Sequence, residues 1–152
     1  MSPLISICIP AYERPEFLKR LLDSIAQQVF KDFEVIITDD SSSREIEELL
    51  FSTPYKYSIH YQRNPRPLGT PLNWMEGIKH ASGHWIKIIH DDDWFTDKYS
   101  LENYAAQLDE GADVLFSGYH SLDERTGFKK NKTISLSSFQ SLKKDPYRLF
   151  SD

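Results

Sequence analysis

A chain of 152 residues is long enough for one domain with a real core and too short for two comfortable ones. Its net charge of −5, carried without any basic block, argues against a broad nucleic-acid footprint, and its apolar and charged fractions are those of an ordinary soluble globular protein. The single cysteine, Cys8, excludes an intrachain disulfide and a cysteine zinc cluster, which fits a reducing compartment. Cys8 lies inside an apolar run and is expected to be a buried small hydrophobe rather than a nucleophile. No segment is long enough to span a bilayer. The N-terminal apolar run is too short for a signal sequence, lacks a basic region before it and is closed by Pro10, so a cytoplasmic location is expected.

Strand and helix signals alternate along the chain. Residues 4–9 are short and rich in β-branched side chains, a buried strand. A loop over 10–15 follows, and Pro15 suits a first helical turn. Phe17, Leu18, Leu21, Leu22 and Ile25 recur at helical spacing and form one apolar face. Residues 33–38 predict a second strand, ending in Asp39-Asp40. Ser42 and Glu45 have capping-box spacing ahead of Ile46, Leu49 and Leu50, which predicts a short helix. A weaker strand is expected over 57–62. The proline-rich stretch 63–71 is irregular, because its prolines lack donors and fix the backbone.

Leu72, Met75, Ile78 and Lys79 begin the next helix, which Ser82-Gly83 should terminate. The apolar run 85–90 reads as a mostly buried strand and leads directly into Asp91-Asp92-Asp93. Asp97 is a candidate N-cap for a helix whose Leu101, Tyr104, Ala105 and Leu108 share a face. One more strand is expected over 113–117. Beyond it, 119–123 and 128–134 suit a hairpin around Glu124-Arg125-Thr126-Gly127, followed by a tail rich in Ser and Lys. The alternating order argues an α/β fold with a doubly wound, mainly parallel sheet.

Asp39-Asp40 and Asp91-Asp92 both follow strands, so a parallel sheet brings both pairs to its carboxyl edge, where ligands of open α/β sheets sit. Three adjacent like charges repel one another, and carboxylates at such an edge are well placed to take a hard divalent cation. A lone acidic triplet is more often a solvated turn that caps a helix; its convergence with a second acidic pair favours the cation. There is no G-x-G-x-x-G after the first strand and no P-loop signature, so neither usual phosphate-binding fingerprint is present. A cation on the triplet would hold phosphates instead, neutralising a diphosphate and stabilising it as a leaving group. Tyr12 offers an aromatic face for a base, against an alternative of plain surface packing. Asp40 suits a base or ribose hydrogen, against the alternative of serving a helix N-terminus.

The stretch Ile7-Cys8-Ile9-Pro10-Ala11-Tyr12-Glu13-Arg14-Pro15 resembles the opening of family 2 glycosyltransferases, the inverting enzymes of GT-A (nucleotide-diphospho-sugar transferase) fold. The resemblance continues through residues 28–42, Asn64, Gly69 and Asn73, and through Ala81-Ser82-Gly83-His84-Trp85-Ile86 to the acidic triplet. It spans 4 to about 118, with four motifs in order. It implies a donor-binding α/β region over 1–118 and the start of an acceptor-side region over 119–152. It implies that Pro10 and Tyr12 pack on the nucleotide base, that Asp40 bonds uracil where the donor is a UDP-sugar, and that Asp39 supports its loop. Gly69 and Asn73 match positions near the nucleotide-sugar pocket. Asp92 matches the DxD carboxylate that ligates Mn2+ or Mg2+, Asp93 is the following acid and a second metal candidate, and Asp91 matches a ribose or sugar contact. His90 stands where many members carry the first aspartate of that motif, and is expected to pack the loop rather than bind metal.

The implied partners are a nucleotide-sugar donor and a carbohydrate or lipid-linked acceptor, with no nucleic acid, and a peripheral membrane association of the full enzyme. The implied process is cell-surface polysaccharide synthesis. An inverting transfer needs a base for the acceptor hydroxyl. The family's base lies well downstream of the DxD, and Asp145 and Asp152 are available here without a recognisable motif. The expectation is a C-terminally incomplete domain whose base lies beyond Asp152. Two other readings stay open: a non-catalytic nucleotide-sugar-binding module, and a sugar-phosphate nucleotidyltransferase, which the missing Gly-rich basic loop disfavours.

Overall fold

The computed structural model describes residues 2–108, 114, 115, 117–133 and 135. They fall into two compact units, residues 1–108 and 109–152. In the first, β1 (Ile5–Ala11), β2 (Phe33–Asp39), β3 (Ile59–Arg63) and β4 (Trp85–Ile88) form one sheet in the order β3-β2-β1-β4. All three pairings are parallel, with Ile5 opposite Phe33, Val35 opposite Ile59 and Ile5 opposite Trp85. The helices are α1 (Pro15–Ala26), α2 (Glu45–Ser52), α3 (Leu72–Lys79) and α4 (Ser100–Ala105).

The central strands are buried on both faces because both faces are covered. Ile5, Ile7, Ile9 and Ala11 of β1 and Phe33, Val35 and Ile37 of β2 point to one side. There they meet Leu18, Leu21, Leu22 and Ile25 of α1, Ile46 of α2 and Leu101 of α4 in one core cluster. Each of those four α1 side chains is fully buried, which stabilises by about 1.5–3 kcal/mol apiece. Cys8 and Thr38 point to the other side, under α3. Burial, with the Glu34 charge adding to it, pushes the Cys8 thiol up to about 12, so it stays a protonated hydrophobe as its apolar setting predicts.

The helix α3 packs on the sheet through Asn73 and Gly77, its buried positions. A Cβ on Gly77 would lie 3.5 Å from both the Cys8 Cβ and the Thr38 Oγ1. Leu72 and Met75, which begin this helix as expected, are about half exposed. The reason is polar: Asn73 bonds the Thr38 carbonyl with its amide, Thr38 Oγ1 bonds the Asn73 carbonyl, and this exchange sets the helix rotation.

Two expected helix caps are also replaced. Arg44 precedes α2 and no side chain caps it; the Ser42 and Ser43 hydroxyls are turned to Glu13, to which they donate, rather than accepting from the first amides of the helix. Asp97 accepts from the Tyr99 amide at 2.7 Å, a turn one step ahead of α4 rather than its N-cap. The run expected as a buried strand to residue 90 ends at Ile88, and β4 is an edge strand of the described sheet, with Ile86 44 % exposed.

The amino edge of the sheet is closed around Glu34. Its Oε1 accepts from Ser6 Oγ at 2.6 Å, the Ser82 amide at 2.8 Å and Ser82 Oγ at 2.9 Å. Gly83 completes the closure: its amide donates to Ser6 Oγ, and a Cβ there would sit 2.7 Å from the Ser6 nitrogen and hydroxyl.

In the second unit, β5 (Tyr119–Asp123) and β6 (Phe128–Lys132) pair antiparallel, the hairpin expected from the sequence. Gly127, at φ 69°, turns it, with its amide on the Asp123 carbonyl. The strand expected over 113–117 lies partly outside the described residues, and Val114, Leu115 and Ser117 are in no strand. Asp145 and Asp152 lie outside the described residues. Among the described residues no helix is long and apolar enough to cross a membrane.

Candidate functional site

The chain runs from β1 through β2 to β3 on one side and returns to β4 on the other side of β1. The carboxyl ends of β1 and β4 therefore flank the switch point, the crevice where open α/β sheets take ligands. Three loops meet there: residues 12–14 after β1, 40–43 after β2, and 89–93 after β4.

The β1 exit is latched to the β2 exit. Glu13 has φ 52°, a left-handed conformation that costs a non-glycine residue about 1–2 kcal/mol. Its amide donates to Ser41 Oγ at 2.8 Å, and its carboxylate takes the Ser42 amide and hydroxyl and the Ser43 amide and hydroxyl. The two hydroxyls, then the Ser42 amide, hold the Glu13 carboxyl down at about 2. Arg63 braces the same loop from β3 through the Ser41 and Ser42 carbonyls.

The β1 exit is also tied to the β4 exit. The Tyr12 amide donates to Asp91 Oδ2 at 3.1 Å, while the Tyr12 ring stays 56 % exposed above the crevice. Arg14 then forks across the acids. One guanidinium nitrogen bonds Asp92 Oδ2 at 2.7 Å and another bonds Asp91 Oδ1. Asp91 is 1 % exposed, and burial pushes its carboxyl above the ordinary range. The Tyr12 amide and the Arg14 charge pull against that rise, and the Asp92 charge adds to it. Burial works against the Arg14 charge too, but the two aspartates outweigh it and hold the guanidinium protonated more firmly than usual. Asp92 is about half exposed and Asp93 lies in solvent, its amide closing a turn on the His90 carbonyl. The His90 ring packs tilted against Trp74, with ring centres 4.9 Å apart, the loop-packing place expected for it.

The third group lies at the β2 end. Asp39 is fully buried and accepts from the Ser41 amide and the Tyr61 hydroxyl, so it supports its loop as expected. Asp40, 5 % exposed, accepts from Asn64 Nδ2 at 2.7 Å and the Gly69 amide at 2.8 Å. Asn64 also donates to Asn73 Oδ1, so Asp40, Asn64, Gly69 and Asn73 form one hydrogen-bonded chain that fixes the proline-rich loop. Gly69, at φ 71°, meets a backbone requirement that suits glycine. Pro10, half-buried on β1 opposite Thr38, stiffens the strand end below Tyr12.

Arg14 and Asn64 were not singled out as site residues from the sequence. Their partners lie 77 and 24 positions away, and no local pattern announces such pairs.

Among the described residues no group of three or more His, Cys, Asp or Glu side chains is arranged to hold a metal ion. The donor set nevertheless suits one kind of ion. Mg2+ and similar hard cations keep several waters and bind through one or two carboxylates plus substrate phosphates. Asp92 and Asp93, both open to solvent, are such carboxylates, whereas Asp91 is enclosed.

Known proteins place the arrangement. Abequosyltransferase RfbV of Salmonella typhimurium is 37 % identical over 115 residues, covering 73 % of this chain and 34 % of that one. A glycosyltransferase of Rickettsia typhi without an assigned activity is 30 % identical over 127 residues, covering 82 % and 39 %. The chain thus spans well under half the length of these relatives. The structure of S. aureus TarS 1-349 in complex with UDP-GlcNAc superposes with a TM-score of 0.62 at 25 % identity, covering 70 % of this chain and 30 % of that one. A mannosyltransferase from Pyrobaculum calidifontis, in complex with GDP-Man and Mn2+, gives 0.64 at 18 % identity over 73 % and 34 %, a likeness of fold alone. The fold is the GT-A α/β architecture that the strand order and motifs led one to expect. With the sequence profile of glycosyl transferase family 2 matching residues 6–151, from the first strand onward, the chain belongs to that family.

Proposed function

We propose that this chain is the donor-binding part of a metal-dependent glycosyltransferase that takes a nucleotide-diphospho-sugar, a UDP-sugar in the simplest case. The sugar passes to an acceptor hydroxyl with inversion, in the synthesis of a cell-surface polysaccharide. The observation that carries the reading is the 3.1 Å bond from the Tyr12 amide to Asp91, which joins a base-sized aromatic face to the acidic turn across the switch point. The TarS structure, solved with UDP-GlcNAc, supports the choice of donor class.

In this reading the Tyr12 ring stacks on the base over the strand end stiffened by Pro10. Asp40 keeps a lone pair on each oxygen beyond its bonds to Asn64 and Gly69, and accepts the base's imino hydrogen. Gly69 and Asn73 hold the wall of that pocket, and Asp91 faces the ribose or sugar. Asp92, with Asp93 beside it, holds Mn2+ or Mg2+. Such an ion supplies charge neutralisation on the diphosphate, which makes it a better leaving group. A base must take the acceptor's proton as its oxygen attacks the anomeric carbon; none of the described residues is assigned to it.

Titration calorimetry with UDP, with and without Mn2+, tests the assignment. Binding should require the metal, and Asp92→Asn should lower metal-dependent UDP affinity on the order of tenfold or more, about 1.4 kcal/mol, while the melting temperature holds. Metal-independent binding, or no binding of any nucleoside diphosphate, would overturn the reading.

A further inference from the structure

Arg14 is the side chain in the crevice that the donor reading leaves unused, and its position is unusual. It bridges Asp91 and Asp92, two carboxylates that would otherwise repel, and so stands where a cation would. The backbone on either side of it is fixed. Glu13 before it is latched to Ser41, Ser42 and Ser43, and Pro15 after it opens α1. The side chain itself is 42 % exposed, with the Phe17 ring 6.0 Å from the guanidinium carbon on the helix side. A preset backbone with an open side chain lets the guanidinium leave the acids by side-chain rotation alone.

We propose that Arg14 is the resident counter-cation of Asp91 and Asp92, displaced from Asp92 when a divalent cation arrives with the donor, and transferred to the diphosphate. The inference rests on the donor reading above and adds to it a coupling between metal and nucleotide. The charge arithmetic drives the exchange. Asp91, Asp92 and Asp93 with one guanidinium leave a net charge of −2, but the Asp92 carboxylate is already paired with Arg14 and Asp93 stands in solvent, so a divalent ion is held weakly in the absence of phosphate. When a diphosphate enters, it offers the planar guanidinium a bidentate pair of oxygens at least as good as the carboxylates it leaves. Asp92, freed of Arg14, then presents a full carboxylate to the metal. The ion and the donor would therefore raise each other's affinity by the same factor, each binding weakly alone and strongly together. Asp91, buried and still held by the Tyr12 amide, stays in place through the exchange.

The test measures Mn2+ binding directly, by the paramagnetic resonance of the free ion, on the full chain with and without UDP. Wild type should bind Mn2+ weakly alone and at least tenfold more tightly with saturating UDP. Arg14→Ala should bind Mn2+ alone about tenfold more tightly than wild type, because a neighbouring positive charge is gone. With UDP present the advantage should vanish or reverse, since the diphosphate has lost its guanidinium. Arg14→Lys keeps the charge without the fork and should fall between the two; it also serves should the alanine variant fail to fold. Folded Arg14 variants that match wild type without UDP would overturn the counter-cation role while leaving the donor reading standing. UDP binding that needs no metal and is lost in Arg14→Ala would show a permanent guanidinium clamp, which overturns the exchange. A wild type that binds no Mn2+ even with UDP would remove the donor reading and the inference with it.

Discussion

The two edges of the parallel sheet each enclose a carboxylate, Glu34 at one and Asp91 at the other, and they are built on opposite principles. At the amino edge, Glu34 is closed in by Ser6 and Ser82, with Gly83 pressed against the Ser6 backbone. Hydrogen bonds outweigh the burial that would raise its carboxyl, and hold it below its ordinary range. The hydrogen-bond donors there, Ser6, Ser82 and the Ser82 amide, are short and fixed to the sheet or its adjoining loop, while the exposed His60 only approaches the other Glu34 oxygen, at 3.7 Å. At the carboxyl edge, Asp91 and Asp92 are compensated by one long side chain, Arg14, that is nearly half in solvent. A buried charge satisfied by neighbouring hydroxyls is a piece of structure. One satisfied by a movable guanidinium is open to exchange. The same sheet thus commits Glu34 to stability and keeps Asp92 available.

Substitutions should separate the edges, beginning with the most damaging. Gly83→Ala forces a methyl to within 2.7 Å of the Ser6 nitrogen, backbone that cannot yield cheaply, and should cost roughly 3 kcal/mol in denaturant unfolding. Asn73→Ala, between the edges, leaves the Thr38 carbonyl and the Asn64 amide short of a buried partner and should cost about 1–3 kcal/mol by the same measurement. Glu13→Gln tests the latch through pH. The folded-state value near 2 lies below the ordinary 4.5, so the ionised carboxylate contributes stability that is complete above 4.5 and lost as pH falls toward 2. The gap in unfolding midpoint between wild type and Glu13→Gln should be constant from neutrality down to about pH 5 and close below that. Least of all, Asp92→Asn should change stability by no more than about 1 kcal/mol, as an exposed ion pair does, despite its expected effect on metal-dependent binding. A loss at Asp92 as large as that at Gly83 would erase the distinction between the edges.

Much of the frame is legible in the sequence. Hydrophobic period and turn residues are local signals, so the four strands of the first unit, the helix faced by Leu18, Leu21, Leu22 and Ile25, and the hairpin around residues 124–127 all came from short windows. The errors share a cause. At Ser42 and Asp97 a residue suited to capping its own helix was taken by a stronger or nearer partner, Glu13 in one case and the Tyr99 amide in the other. In α3 the face turned to the sheet carries the amide of Asn73, a choice no local period announces, because leaving Thr38 and Asn64 unpaired inside the fold costs more than exposing Leu72 and Met75.

The residues alone established that the chain is α/β, that its strands run parallel, and that two acidic pairs end at one sheet edge. Those conclusions need only spacing and the rule that parallel strands share their carboxyl ends. The tertiary structure decided which acids are fixed and which are exchangeable. Asp40 became the anchor of the proline-rich loop, Asp91 was enclosed, Asp92 was left open, and Arg14 was set between the last two. Those assignments depend on partners tens of residues away, and on burial, which determines whether a charge must be satisfied permanently or can wait for a ligand.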